Sequence, residues 1–140
     1  MSDTVQYQRL APESLVDVAG PERPFLAMVV IRDEVSPEWQ WMVSQWLVAA
    51  GCLYMCAWGP GCSTWDDSVD LAMLECFSYG NVPEERSAMT TWHANEPLEE
   101  ALWFAKHTAR HPVVELELAV IIDVSHADCR EEMLALWSAT

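Results

Sequence analysis

Apolar runs of strand length alternate with amphipathic stretches of helical length along most of this chain. Three of the runs are apolar almost throughout, which is the pattern of strands buried on both faces of a sheet. A shorter run with more polar residues is predicted to be a further strand between the second and the last. The four predicted strands are residues 25–31, 52–58, 87–92 and 118–124.

The clearest helix follows the first strand. Ser36-Pro37 opens it, because serine caps free backbone N–H groups and proline suits the first helical position. Gly51 is placed to end it. The residues between them that share one apolar face at helical spacing are Trp39, Met42, Val43, Trp46, Leu47 and Ala50.

Three more helices are predicted from their start signals. Ser63 with Asp66, and Ser125 with Asp128, have the spacing of a capping box and predict the starts of the second and fourth helices. Pro97 is expected to start the third helix.

This order of elements, β-α-β-α-β-α-β-α, predicts a single α/β domain over residues 25–140, with a mostly parallel sheet and helices on both faces. A chain of 140 residues suits one domain. Residues 1–24 show no clear period and are interrupted by prolines and a glycine. We therefore expect them to form an N-terminal arm or loop.

The charge is strongly negative. Against 22 Asp and Glu there are 7 Lys and Arg, which gives a formal charge of −15. A hydrophobic content of 51% distinguishes the chain from a disordered acidic tail. An acidic folded surface repels nucleic acid and anionic membranes, and it attracts basic proteins. We therefore expect a basic protein partner and no binding to nucleic acid or membranes.

The sequence predicts a cytoplasmic protein. No segment has the roughly 18 apolar residues of a membrane helix. The N-terminus has no basic region followed by an apolar run, as a secretory signal would. Five cysteines, an odd number, favour reduced thiols in a reducing compartment.

The loop Gly59–Thr64 is the first place to look for a ligand, because parallel sheets bind ligands beyond the carboxyl ends of their strands. It leads into a helix N-terminus, where anions bind. It lacks both the glycine spacing of dinucleotide sites and the Gly-Lys-Ser/Thr ending of phosphate-binding loops. Asp66 and Asp67 follow it and would repel phosphate. We expect no nucleotide and no other cofactor.

Two other constellations carry possible chemistry. Cys62 with His93 or His126 could supply a nucleophile and a base, although a small buried thiol is the competing interpretation. His107 and His111 are four residues apart on one face of the third helix, a spacing that can bind a metal. The metalloprotease pattern His-Glu-x-x-His is absent, and a helix C-terminus favours histidine by its dipole alone. No metal site is predicted.

The most polarised stretch is residues 63–100, where nine carboxylates accompany a single lysine or arginine, Arg86. Aromatic residues beside carboxylates are typical anchors of protein interfaces. The residues predicted to bind a partner are Trp58, Asp66, Asp67, Asp70, Trp92, Glu96, Glu99 and Glu100.

The stretch from Trp58 to Pro112 resembles a family of small bacterial proteins of unknown biochemical function. The matching segments are Trp58–Asp70, Met89–His93, Glu96–Glu100 and Trp103–His107. The resemblance implies a compact bacterial domain and brings no catalytic residues with it. Small acidic proteins of this kind are also similar in type to the immunity proteins of interbacterial toxins.

Together these features predict an immunity-type protein that binds and neutralises a basic toxin, with nucleases as one candidate class. The alternative is a small enzyme or ligand-binding domain whose site lies at the carboxyl ends of the strands. A DNA mimic is a third hypothesis, which is weakened because the acidic positions lack a regular, phosphate-like spacing. The sequence leaves the oligomeric state open.

Overall fold

A computed structural model describes residues 4–21 and 23–140. Within them the chain forms five strands and four α-helices, and a short 3₁₀ turn, Glu84–Arg86, precedes the fourth strand. In chain order the elements are β1 (Thr4–Leu10), β2 (Phe25–Ile31), α1 (Pro37–Ala50), β3 (Cys52–Trp58), α2 (Ser63–Cys76), β4 (Met89–His93), α3 (Leu98–His107), β5 (Leu118–Val124) and α4 (Arg130–Ala139).

The strands form one sheet in the order β1-β5-β2-β3-β4, and every pair is parallel. The predicted α/β class, its four strand-helix units and its parallel sheet are confirmed. β4 begins two residues later than predicted. The last strand, β5, lies between β1 and β2, so the order in the sheet differs from the order in the sequence.

The prediction of an arm or loop at residues 1–24 is wrong for Thr4–Leu10. These residues pair along their whole length with β5, from Thr4 opposite Leu118 to Leu10 opposite Val124. Several of their side chains are polar and only partly buried, because β1 is an edge strand. It therefore lacks the continuous apolar run that marked the central strands. Residues 1–3 and 22 of the predicted arm lie outside the described residues.

Helices cover both faces of the sheet and bury two separate apolar cores. The odd-numbered residues of β2 pack in the core beneath α1 and α2, and the even-numbered ones pack in the core beneath α3 and α4. All seven residues of β2 are therefore buried, as its continuous apolar run predicted. Complete burial of one such side chain contributes about 1.5–3 kcal/mol.

The start and end of α1 are confirmed. Ser36 Oγ accepts a hydrogen bond from the backbone N–H of Trp39 at 3.2 Å. Gly51 ends the helix in the left-handed region, with φ of 101°. Its backbone N–H donates to carbonyls of the last helical turn. These local signals fix the path from β2 to β3.

The two predicted capping boxes are wrong. In α2, Ser63 is already the first helical residue, and Asp66 Oδ1 accepts from the neighbouring Asp67 N–H at 2.8 Å instead of closing a box. α4 begins later than expected, at Arg130. There Ser125 Oγ accepts from Ala127 N–H, and Asp128 Oδ1 accepts from Arg130 N–H at 2.9 Å. In both cases the side chain closes a shorter local turn, which competes with the capping box.

Candidate partner-binding surface

The acidic residues predicted to bind a partner lie on both sides of the edge strand β4. On one side is α2, where Asp70 Oδ1 accepts a hydrogen bond from Thr90 Oγ1 at 3.3 Å. On the other side is the loop into α3, where Glu96 Oε1 lies 3.0 Å from His93 Nδ1. Residues that are far apart in sequence are therefore neighbours of the same strand.

Glu99 and Glu100, at the start of α3, are both exposed, and they lie on different sides of the helix. Glu100 lies one turn before Phe104, whose ring packs 4.7 Å from the His93 ring. Glu100 is therefore on the side of α3 that faces β4. Glu99 lies one turn before Trp103 and two turns before Lys106. The Lys106 ammonium donates a hydrogen bond to the Trp137 carbonyl in α4. Glu99 is therefore farther from β4 than Glu100 is.

Apolar side chains are exposed among these carboxylates. Trp92, in β4 itself, is 48% exposed, and Trp103 on α3 is also exposed. On α2 a second stripe at helical spacing begins with acidic residues and ends with apolar ones; its members are Asp67, Asp70, Leu71 and Leu74. Both of these leucines are exposed. They were not predicted to bind a partner, although the spacing of the stripe is visible in the sequence.

We name this region the β4 surface. It comprises acidic and apolar side chains of β4, of α2 and of the loop and helix that follow β4, which are Asp66, Asp67, Asp70, Leu74, Trp92, Glu96, Glu99, Glu100 and Trp103.

The potential of the β4 surface is negative. Arg86, the one lysine or arginine between 63 and 100, precedes the opposite end of β4 and packs its guanidinium 4.8 Å from the Phe77 ring centre. The pKa of Asp70 is raised by partial burial and by the nearby carboxylates of Asp66 and Asp67, and the Thr90 hydrogen bond offsets this only in part. The charged form of Asp70 is therefore disfavoured in the free protein.

Trp58 has a positioning role in the structure. It is half-buried at the end of β3, and its indole N–H donates to the Glu96 carbonyl at 2.7 Å. Together with the His93–Glu96 contact, this bond holds the loop between β4 and α3. Trp58 is therefore less available to a partner than Trp92, and its predicted partner contact stays a prediction.

The loops after β3 and β4 enclose a cleft of about 340 Å³ at the carboxyl end of the sheet. Both Cys62 and His93 line it. Cys62 is only 3% exposed and belongs to the core beneath α1 and α2, whereas His93 packs against Phe104 on the α3 face. Among the described residues, no hydrogen bond joins the thiol to the imidazole.

His126 does not join Cys62 and His93. It is exposed in the loop after β5, with Nε2 3.7 Å from Asp33 Oδ2. Two strands, β2 and β3, separate β5 from β4 in the sheet. The predicted alternative site of Cys62, His93 and His126 is therefore not assembled.

His93 is held by both ring nitrogens. Besides the Glu96 contact, Nε2 lies 3.1 Å from Thr91 Oγ1. The order of hydroxyl, imidazole and carboxylate resembles a nucleophile, base and orienting group. Thr91, which was not among the predicted site residues, is outside the lining of the cleft. The cluster therefore serves to fix the loop after β4.

The predicted placement of His107 and His111 on one helical face is wrong, because α3 ends at His107. His111 lies beyond it and is buried. Its Nδ1 accepts from two backbone N–H groups, Val113 and Val114, and its Nε2 donates to the Ser87 carbonyl at 2.8 Å. Across residues 4–21 and 23–140, no group of three or more His, Cys, Asp or Glu is arranged to hold a metal ion.

A buried polar network joins the carboxyl ends of the central strands. Asp123 is fully buried, its Oδ2 accepts from the Tyr7 hydroxyl at 2.6 Å, and its Oδ1 lies 3.3 Å from Arg32 Nε. The Tyr7 oxygen also accepts from Cys129 N–H at 3.0 Å. Burial and the Asp123 hydrogen bond raise the pKa of Tyr7 above its usual range, so its hydroxyl stays protonated and donates. The network ties β1, β2, β5 and the start of α4 together.

Comparison with known families decides where this chain belongs. A family model described as a domain of unknown function, DUF7684, matches residues 5–140. The chain belongs to the DUF7684 family. The match begins within β1 and extends through α4, so it spans the whole sheet.

No curated protein and no solved structure matches the chain. The function of this DUF7684 domain is therefore inferred from its fold and its surface. Throughout the described part of the chain, no helix combines the length and the apolar character that crossing a bilayer requires.

Proposed function

We propose that this DUF7684 domain is an immunity-type protein that binds and neutralises a basic toxin through the β4 surface. The observation that supports this most strongly is the placement of exposed and partly exposed carboxylates on both sides of an edge strand that carries a half-exposed tryptophan. A nuclease is one class of basic toxin that fits this description, and a bacterial cytoplasm is the setting that the role requires.

Electrostatics support a basic partner. The β4 surface concentrates negative charge in a protein of formal charge −15. Such a field steers a basic partner to the surface and raises its association rate. A lysine or arginine placed near Asp70 would also relieve the repulsion that Asp66 and Asp67 impose on its charged form.

The aromatic residues support a specific interface. Tryptophans are the commonest residues of binding hot spots, because they bury a large rigid area when a partner covers them. Trp92 and Trp103 are each about half exposed, and Leu74 adds apolar area beside the acidic groups of α2. Covering this mixed surface would combine long-range attraction with apolar contact.

The proposal is tested with two pairs of charge reversals. Asp67→Lys with Glu100→Lys changes exposed carboxylates on the two sides of β4. Glu131→Lys with Glu132→Lys makes the same change in charge at exposed positions in the first turn of α4, a helix that packs against β1 at the other edge of the sheet. Tagged wild-type protein is used at low salt to capture a partner from the host, which is then purified. Association rates are measured for all three proteins.

We expect the first pair to slow association at low salt by about tenfold or more and to flatten its dependence on salt. The second pair should have a smaller effect, since only the total charge changes. Equal effects of the two pairs would remove the β4 surface from the interface. If the captured partner is not toxic when it is expressed alone, the proposal that the partner is a toxin would be contradicted.

The cleft at the strand ends favours a second function, a small-molecule binding domain. Its volume of about 340 Å³ is within the range of ligand sites, and it combines polar loop residues with Trp58. A metabolite screen by NMR tests it. Binding that perturbs Ser63 and Ala94, and that is unchanged by Asp67→Lys with Glu100→Lys, would favour this function over the first.

A further inference from the structure

The outer edge of β4 is open. β4 pairs with β3 on one side and is the last strand of the sheet on the other. Among the described residues, no hydrogen bond apart from the β3 ladder uses a backbone group of Met89–His93. The outward N–H and C=O groups of this strand are therefore free to pair with another chain.

This edge lacks the chemical features that usually protect an edge strand. Its residues, Met-Thr-Thr-Trp-His, include no lysine, glutamate or proline. Trp92 and Met89 are 48% and 41% exposed. The opposite edge, β1, carries Arg9 and two glutamines. β4 is protected only by its length of five residues, which still suits the addition of a short strand.

The surroundings of β4 select what can pair there. Asp67 and Asp70 lie on the α2 side of the strand, and Glu96 and Glu100 lie on the α3 side. A second copy of this chain would bring an equally acidic edge against the first, with a charge of −15 on each molecule. A segment rich in lysine and arginine would meet opposite charge on both sides of the strand.

We propose that an extended, basic segment of the partner adds to β4 as a sixth strand of the sheet. This inference rests on the proposed function and specifies how the partner is bound. Main-chain hydrogen bonds to β4 would hold the segment, Trp92 would pack against one of its side chains, and the carboxylates of the β4 surface would pair with its basic side chains.

Two synthetic peptides test the main-chain pairing. The probe is a nine-residue peptide that alternates lysine and valine. The control is the same peptide N-methylated at each of its central residues, which keeps the charge and removes the N–H donors. We expect the probe to bind at low salt and the control to bind at least about tenfold more weakly, since two or more hydrogen bonds are lost.

The site of binding is read by amide hydrogen exchange in the whole chain. We expect the probe to slow exchange within Met89–His93, and not within Thr4–Leu10. Trp92→Lys should weaken binding of the probe by about tenfold, because it adds a repelling charge to the edge and removes the aromatic contact. Gln6→Lys, the matched change on the other edge strand, should have little effect. Circular dichroism checks that both variants are folded.

Each outcome is informative. Equal binding of the two peptides, with loss of both in Asp67→Lys with Glu100→Lys, would overturn strand addition and leave the acidic interface standing. No binding of the probe, or protection outside β4, would also overturn strand addition. Dimers of the free protein with protected β4 amides would show that a second copy occupies the edge instead.

Discussion

At the scale of the residue, the ionised form of Asp70 destabilises the folded free protein, because the acidic surface surrounds it. Its folded pKa lies above its unfolded pKa because of partial burial and the carboxylates of Asp66 and Asp67. Proton binding therefore favours the folded state. Above the folded pKa the ionised side chain lowers the free energy of unfolding, and this penalty disappears as the pH falls through that pKa.

We predict that Asp70→Asn raises the free energy of unfolding at about pH 7 and that the gain shrinks towards about pH 4. Asparagine keeps an oxygen for the Thr90 hydrogen bond while removing the charge. The gain should stay below about 0.5 kcal/mol, because the carboxylate is largely exposed and solvent screens it. Urea unfolding at the two pH values measures it.

Asp17→Asn is the control, since it removes the same charge from an exposed loop position far along the chain from α2. It should change stability at about pH 7 by less than Asp70→Asn does. A loss of stability in Asp70→Asn, or a gain that persists at about pH 4, would contradict this account of the pKa.

At the scale of the element, β1 depends on the network around Asp123. Tyr7 is the side chain through which β1 reaches that network, and its oxygen also holds the N–H of Cys129 at the start of α4. The loss of one hydroxyl therefore affects an edge strand and a helix start together. Arg32 remains to pair with the buried carboxylate.

We predict that Tyr7→Phe lowers the free energy of unfolding by about 1–3 kcal/mol, because the buried Asp123 carboxylate and the partly buried Cys129 N–H each lose a partner. Amide exchange in Thr4–Leu10 should quicken more than in β2. Tyr79→Phe is the matched control, since Tyr79 is exposed. Equal effects of the two changes in urea unfolding would show that the network does not hold β1.

At the scale of the whole molecule, self-repulsion opposes folding. A formal charge of −15 on a compact domain destabilises it relative to the expanded chain, and salt screens that repulsion. We predict that Tm rises by several degrees between about 0.02 M and 0.3 M sodium chloride at neutral pH. Near the pI of about 4.3 the same salt change should have little effect. A Tm that falls with salt at neutral pH would contradict this explanation.

Local signals in the sequence were sufficient for much of the fold and for part of the candidate surface. The apolar runs of β2, β3 and β5 and the caps of α1 depend on neighbouring residues, so they were predicted correctly. The acidic stretch was also evident. β1 was missed because an edge strand with glutamines and an arginine has no continuous apolar run.

The sequence by itself determined the order of strands and helices from β2 onwards, the two-sided burial of the central strands and the total charge, because each depends on composition or on short-range periodicity. Only the tertiary structure decided that β5 lies between β1 and β2, that Asp70 and Glu96 lie on both sides of β4, and that His126 is far from Cys62. Strand order depends on which long-range pairings bury the most apolar area, and no local pattern of residues encodes that choice.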